Sequence, residues 1–323
     1  MKELGGYFEL EYGIHPEYHQ SAVALNSGRH CLEYLIKAKK ITKLYLPSYL
    51  CSCIETTCKK NNCSISYYEI DNEFMPIFED TLFDHEYLYI VNYFGQLSNH
   101  KLNVLKEKYT NIIVDNAQSF FQIPISNTDT LYTCRKYFGV ADGGYLYTDK
   151  VLEDELPIDL SYERMEFVLG RFELSASTFY KLAADNNDVF DKECLKAMSK
   201  LTHNILKSID YNRIIEIRNH NFLHLHSSLS KENRLNLLVP KGPYMYPYYC
   251  KEGQKLKQFL ISRKVYVPTL WPDVFDRVPK ASISYEYALN IVPLPCDQRY
   301  TTNDMDYIIQ LIEQFNKERK LIP

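Results

Sequence analysis

Apolar positions along the first half of this chain alternate between two rhythms. LYIVNYF (88–94) and NIIVD (111–115) are near-continuous apolar runs, as strands buried on both faces require, while KLYLP (43–47) and SISYYEI (64–70) are shorter β-rich runs. Segment 51–60 has helical character, and KLNVLKEKY (101–109) sets Leu102, Leu105 and Tyr109 at helical spacing. This β-α-β-α-β order predicts a parallel sheet with helices on both sides. From about Glu153 the pattern turns helical, through 162–170 and 191–228, where 198–209 and 214–229 form one long linking helix or two packed ones. The last third mixes strands at 235–239, 246–249 and 289–293 with amphipathic helices at 252–264 and 301–319. The second of these opens on a threonine cap, with acidic residues in its first turn and basic ones in its last. The expectation is an α/β fold: a large domain over 1–209 and a small α+β C-terminal domain over 210–323.

Composition narrows the function classes. The 323 residues are 46% hydrophobic and 24% charged, ordinary for a globular chain with one large core and a smaller companion domain. Tyrosine is frequent at 28 and glycine scarce at 11, which suits strand-rich packing and not disorder. A net charge of -4 without a long basic run gives no nucleic-acid footprint. No stretch approaches the roughly 18–20 apolar residues of a membrane span. The opening MKELGGYFELEYG carries charge and paired glycines where a secretory apolar region would lie, so the expected compartment is the cytoplasm. Nine cysteines, an odd number set mostly in apolar stretches, point to reduced thiols. The run Cys51, Cys53, Cys58 and Cys63 lacks the paired spacing of a zinc or iron–sulfur site and is read as thiols on a buried helix face, with no metal.

Three motifs carry candidate chemistry. LNSGRHCLEYL (25–35) is a small-residue turn opening an amphipathic helix; Ser27 and Gly28 there either receive an anion at the helix N-terminus or simply cap it. IIVDNAQSF (112–120) ends a buried strand on Asp115, at the edge of an open sheet where ligands bind; that carboxylate either holds a ring N–H or caps the next helix. TLYTCRKYFGVADGGYLYTD (130–149) sets Lys136 in a turn between strand-like runs. Tyr132, Tyr137 and Phe138 could desolvate its amine and Arg135 supply positive charge, or the lysine is a solvated surface group.

Taken together, and over nearly its whole length, the chain resembles the DegT/DnrJ/StrS family of sugar aminotransferases, pyridoxal-phosphate enzymes of fold type I. Ser27-Gly28 is similar to the family's S-G-T turn, Pro47–Tyr49 to the strand end leading into the cofactor-facing helix, and V-N-Y-F-G-Q (91–96) to its aromatic-Gly-Gln turn. D-N-A-Q (115–118) resembles D-A-A-[HQ], and K-Y-F-G-V-A-D-G-G (136–144) resembles K-x-x-x-x-G-E-G-G. The C-terminal segments PYMYPYY (243–249), VYVPTLWP (265–272) and IVPLPCDQRYT (291–301) fit as well.

The resemblance implies pyridoxal 5'-phosphate as a Schiff base on Lys136, Asp115 at the pyridine nitrogen, Gln118 near the ring oxygen or substrate, Ser27 and Gly28 at the phosphate, and a homodimer that shares its sites. Several residues depart from the pattern. Arg29 replaces the threonine, so that a guanidinium either holds the phosphate or points away. Cys51 falls near the usual stacking aromatic, a role open to Tyr49 or Tyr93. Leu131 occupies the serine position before the lysine, with Thr133 as substitute. Tyr162–Met165 only partly echoes N-Y-R-M, and the chain starts close to the phosphate motif, so part of the usual sugar-nucleotide and dimer surface is missing or rebuilt.

The expected activity is amino transfer from a donor, glutamate in the family, to a keto-sugar, nucleotide-linked, in cell-surface polysaccharide synthesis. A lysine at 136 stands against the family's dehydratase branch, which carries histidine there. Two alternatives remain: a non-catalytic homologue that keeps the dimer for binding or regulation, and a pyridoxal-phosphate enzyme acting on an amino acid, with Arg299 gripping its carboxylate. Arg164, Arg171 and segment 243–249 either contact substrate or pack.

Overall fold

The structure, a computed structural model, describes residues 4–320. Eight strands build the central sheet: β1 (Val23–Leu25), β2 (Lys43–Pro47), β3 (Ser64–Ile70), β4 (Pro76–Ile77), β5 (Glu86–Val91), β6 (Ile112–Asp115), β7 (Asp129–Thr133) and β8 (Gly144–Tyr147). Their order is β1-β8-β7-β6-β5-β2-β3-β4. β7, β6, β5, β2 and β3 are parallel neighbours; β8 opposes both β7 and β1, and β4 opposes β3. β1 therefore points the same way as the parallel block. Helices α1 (Gly28–Lys39), α2 (Ser52–Lys60) and α3 (Asn99–Lys108) make the crossovers.

Beyond the sheet come α4 (Glu166–Glu173), α5 (Tyr180–Lys192), α6 (Lys200–Leu206) and the 19-residue α7 (Tyr211–Leu229). Then follow β9 (Tyr246–Tyr249), α8 (Gly253–Ser262), α9 (Val274–Arg277), α10 (Ile283–Asn290), β10 (Ile291–Leu294) and α11 (Thr302–Lys320), with β9 and β10 forming an antiparallel pair. Asp210 breaks α6 from α7, its carboxylate accepting from the Arg213 N–H at 3.0 Å, so the linking segment is two helices.

Three expected strands differ. The run 88–94 stops as a strand at Val91, because Phe94 takes φ 53° in a turn closed by the Leu97 N–H on the Asn92 Oδ1 at 2.8 Å. Segment 235–239 joins no sheet: the Leu238 N–H and C=O both bond the Gln96 carboxamide, at 2.7 and 3.2 Å, so a side chain satisfies the backbone where a strand would. The run 289–293 is split, since α10 continues to Asn290 and β10 starts at Ile291.

One continuous apolar core runs from Leu25 through the sheet to Ile312 on α11. A second, mostly aromatic cluster of Phe120, Phe121, Tyr132, Tyr137, Phe138 and Tyr145 lies around the Lys136 turn. Burial of each such ring stabilises the fold by about 1.5–3 kcal/mol. What matters for function is polarity: β1, β2, β5, β6 and β7 all end at the same edge of the sheet. The ends of these strands and the turns that follow carry Ser27, Tyr49, Tyr93, Asp115 and Lys136, so five separate sequence segments meet along one line.

Candidate active site

Asp115 is the last residue of the fully buried β6. The Tyr89 hydroxyl donates to its Oδ2 at 2.8 Å and the Ala117 N–H to its Oδ1 at 2.8 Å. Burial raises its pKa, while the charge of Lys136 and these two hydrogen bonds pull the other way. Lys136 thus lies within the electrostatic reach of Asp115, on the neighbouring strand end.

The lysine sits in a tight turn in which the N–H groups of Tyr137 and Phe138 both bond the Cys134 carbonyl at 2.9 Å. That turn is tied by backbone to the first motif: the Cys134 N–H bonds Gly143 O at 3.0 Å, and the Gly143 N–H bonds Asn26 O at 2.7 Å. Gly143 adopts φ +117°, a conformation that favours glycine, and a side chain there would crowd Cys134 at 3.0 Å.

Ser27 is the N-cap of α1, its Oγ accepting from the His30 N–H at 3.2 Å, and the first turn of α1 carries no acidic residue. Its free N–H groups and dipole are therefore open to an anion. Thr133, buried at the end of β7, lies under this turn, 3.5 Å from where a Gly28 Cβ would be. Gly144 packs against Ser27 so closely that a Cβ would meet the Ser27 carbonyl carbon at 2.7 Å.

Arg29, expected near the phosphate, has its guanidinium on α5. It donates to Asn187 O at 3.2 Å and Asn187 Oδ1 at 3.1 Å, and pairs with Asp191. Arg135 reaches the same Asn187 Oδ1 at 3.3 Å and lies over the Phe190 ring, 4.5 Å from its centroid. Its buried Nε has no hydrogen-bond partner among the described residues, and burial beside Arg29 lowers its pKa to about 10.

Gln118 is buried; its Oε1 accepts from the Phe94 N–H at 2.9 Å, and its Nε2 has no partner among the described residues. Such an orphaned donor awaits an acceptor. Tyr49 is buried with its ring stacked on Tyr93 (5.1 Å, 26°) and edge-on to Trp271 (5.2 Å), and the Tyr93 hydroxyl donates to Tyr49 O. Both rings belong to an aromatic core cluster. Arg299 is bonded to Asp297 at 2.7 and 2.8 Å, and Arg164 to Asp159 at 2.8 Å and Asn186 at 3.0 Å.

Two residues near the lysine have only weaker marks in the sequence, Cys51 as a departure at the stacking position and Tyr244 as one member of segment 243–249. The Cys51 thiol, half-buried at the start of α2, has its pKa lowered to about 6, first by a hydrogen bond from Cys53 and further by the charges of Lys136 and Arg29. Its pairing in C-x-C beside a strand end was the available signal. The Tyr244 ring lies 5.6 Å from the Lys136 Nζ, within the tyrosine-rich segment but marked by nothing else in the sequence.

No family model matches this chain, and no curated protein does. Solved structures do. The chain is similar to DesV of S. venezuelae in complex with a ketimine intermediate, at 13% identity and TM-score 0.63, covering 91% of this chain and 84% of that one. It is similar to a DegT DnrJ EryC1 StrS aminotransferase from Brucella abortus at 14% identity and TM-score 0.61, covering 91% and 85%. A third is the E. coli GDP-4-keto-6-deoxy-D-mannose-3-dehydratase with bound hydrated pyridoxal phosphate, at 12% identity and TM-score 0.60, covering 90% and 87%. The resemblance read from the motifs therefore holds at the level of architecture: the chain has the fold of the DegT/DnrJ/EryC1/StrS sugar aminotransferases, fold type I of the pyridoxal-phosphate enzymes.

Proposed function

We propose that this protein is a pyridoxal-phosphate-dependent aminotransferase that moves an amino group, from glutamate as donor, to a nucleotide-linked keto-sugar used in cell-surface polysaccharide synthesis. The observation that carries the reading is the meeting of Lys136 and Asp115 at one sheet edge, each within the other's field.

The residues present fit the cofactor. An orphaned Gln118 Nε2 matches an acceptor oxygen on its ring, and the acid-free first turn of α1 matches its phosphate. When bound, pyridoxal phosphate supplies an aldehyde reactive toward amines and an electron-withdrawing ring. Asp115 would hold a proton at the ring nitrogen. Its depth in the sheet keeps water from competing, and Tyr89 and Ala117 fix both oxygens. Lys136 would anchor the cofactor and then carry protons at its Nζ as general acid and base. Ser27, Gly28 and Thr133 would hold the phosphate, with Arg29 and Arg135 contributing positive charge from behind. Cys51 would face the ring in place of an aromatic, with Tyr49 supporting it from the core.

We further propose a cytoplasmic homodimer, built from a large domain over 1–209 and a small one over 210–323. In favour of a partner, α4 buries none of its side chains and leaves Leu169 and Phe172 exposed. The nine free cysteines suit a reducing compartment, and no helix among the described residues is long and apolar enough to cross a membrane.

Protein incubated with pyridoxal phosphate should show an absorbance band near the visible edge that borohydride erases and Lys136→Ala never forms. A screen of keto-sugar nucleotides with glutamate, read by product mass, should then yield one amino-sugar. A band without turnover on any substrate would favour a homologue retained for binding; absence of the band would end the assignment.

A further inference from the structure

Arg218, on α7, is 1% exposed, yet it has no ion pair among the described residues: Asp297, whose charge reaches it, is bonded instead to Arg299. Its partners are neutral. Nη1 donates to Pro243 O at 2.8 Å and Tyr244 O at 3.4 Å, Nη2 to Tyr137 O at 3.3 Å, and Nε to Gln298 Oε1 at 2.7 Å. The guanidinium also lies over the Tyr137 ring, 4.5 Å from its centroid. Gln298 closes the group by donating from Nε2 to the same Tyr137 carbonyl at 2.7 Å.

Burying a cation against carbonyls alone is unfavourable, and apolar residues of similar volume usually pack at no loss of stability. What the guanidinium offers instead is a rigid fork that can hold several chain segments at fixed angles. Here those segments are the two that flank the reactive amine. Tyr137 is the residue after Lys136, and Tyr244 carries the ring 5.6 Å from the Lys136 Nζ. We propose that Arg218, with Gln298, is a positioning clamp for Lys136, fixing the main chain that carries the amine and the aromatic ring beside it. The proposal rests on the aminotransferase reading only for its kinetic consequence; the clamp itself concerns the amine.

Three variants test it: Arg218→Lys, which keeps the charge and loses the fork; Arg218→Met, which keeps the bulk; and Gln298→Leu, a milder change that spares Arg218. In cofactor-free protein, reductive methylation with formaldehyde and cyanoborohydride, read by peptide mass, gives the rate at Lys136 against the other lysines. That ratio should change about threefold or more in Arg218→Lys and less in Gln298→Leu, as expected when an amine shifts by a fraction of an ångström. With pyridoxal phosphate, the pH midpoint of the absorbance band should move, and kcat should fall about tenfold or more while KM changes little. Variants that melt like the wild type with ratio, band midpoint and kcat all unmoved would overturn the clamp. So would variants in which melting temperature and kcat fall together while ratio and midpoint stay put, since that is a purely structural role. A wild type that never forms the band would refute the aminotransferase reading alone, because the methylation ratio still reports on the clamp.

Discussion

Gly144→Ala should separate the phosphate end of the proposed site from its aldehyde end. A Cβ at 144 would lie 2.7 Å from the Ser27 carbonyl carbon, 2.9 Å from its oxygen and 3.0 Å from the Cys31 Sγ. Ordinary contact begins near 3.4 Å, so the gap must open by about 0.7 Å (3.4 − 2.7), and two of the three obstacles are backbone. Either the Ser27 turn lifts, or β8 sinks and disturbs the register that pairs Gly144 with Leu25 on β1 and Thr133 on β7. Overpacking of this kind destabilises by about 1–3 kcal/mol. On the proposed function its effect on ligand binding is directional, because the displaced N–H groups open α1, where the phosphate would sit. Affinity for pyridoxal phosphate should fall about tenfold or more, whereas affinity for pyridoxal, which lacks the phosphate, should change much less. Absorbance titration with both ligands measures the two constants. Gly139→Ala is the control in the same segment: its Cβ would meet only a methyl of Val168 at 3.2 Å, so both affinities should stay within about twofold. Equal losses for the two ligands in Gly144→Ala, or none, would refute the reasoning.

Asp115→Asn should lower turnover about a hundredfold or more while shifting unfolding stability by about 1 kcal/mol, since one of its two internal hydrogen bonds survives; assay and urea melts check the pair of effects. Cys51, with its pKa lowered to about 6, should be the thiol that iodoacetamide labels first at pH 7, ahead of the more deeply buried Cys53 whose pKa is raised; peptide mass spectrometry decides. Lys257 is buried with its Nζ on Ala288 O at 2.8 Å, and burial lowers its pKa from 10.5 to about 8. The unfolded chain then binds the extra proton between pH 8 and 10.5, so this residue's contribution to stability rises with pH across that window and is least favourable below 8. At about 1.4 kcal/mol per pH unit over about 2.5 units (10.5 − 8), the charged form costs roughly 3 kcal/mol at pH 7. Lys257→Met, which leaves the Ala288 carbonyl unpaired at a cost of about 1 kcal/mol, should therefore stabilise by about 2 kcal/mol at pH 7 and not at all by pH 10. A difference between variant and wild type that ignores pH would refute it.

The parts of this fold that could be read from sequence are those whose position depends on their own neighbours. β2 falls at 43–47 as expected, and β6 at the end of its apolar run, because a strand covered on both faces needs apolar residues at successive positions, while the less buried β3 at 64–70 is marked by its β-rich composition. β1 and β4 were not legible: three residues and two residues are too short to show a period. Segment 235–239 is expected as a strand on its apolar residues, but the backbone bonds of Leu238 are taken by Gln96, 142 residues earlier in the chain. The same division runs through the site. Ser27 and Asp115 stand where a strand meets a turn, a place the apolar pattern itself marks.

Long side chains escape such reading, because their tips answer to residues far off in sequence. Arg29 stands beside the phosphate turn by position, but its guanidinium is held by Asn187 and Asp191, 158 and 162 residues away. Among the described residues Arg29 is the one of the two arginines that pairs directly with a carboxylate; Arg135 bonds the Asn187 amide, and its Nε is left without a partner. Arg29, Arg135 and Lys136 thus share a region with Asp191, with Asp142, whose charge reaches Arg135, with the Cys51 thiol, whose pKa falls to about 6, and with a carboxyl at 115 whose ionisation burial opposes. Charges held this far from water need partners of opposite sign, and here those partners come from segments that no spacing in the sequence links. Of the departures from the resembled pattern, Arg29 is thereby accounted for as a strap onto α5, a role set by residues on another helix and invisible in the turn it follows.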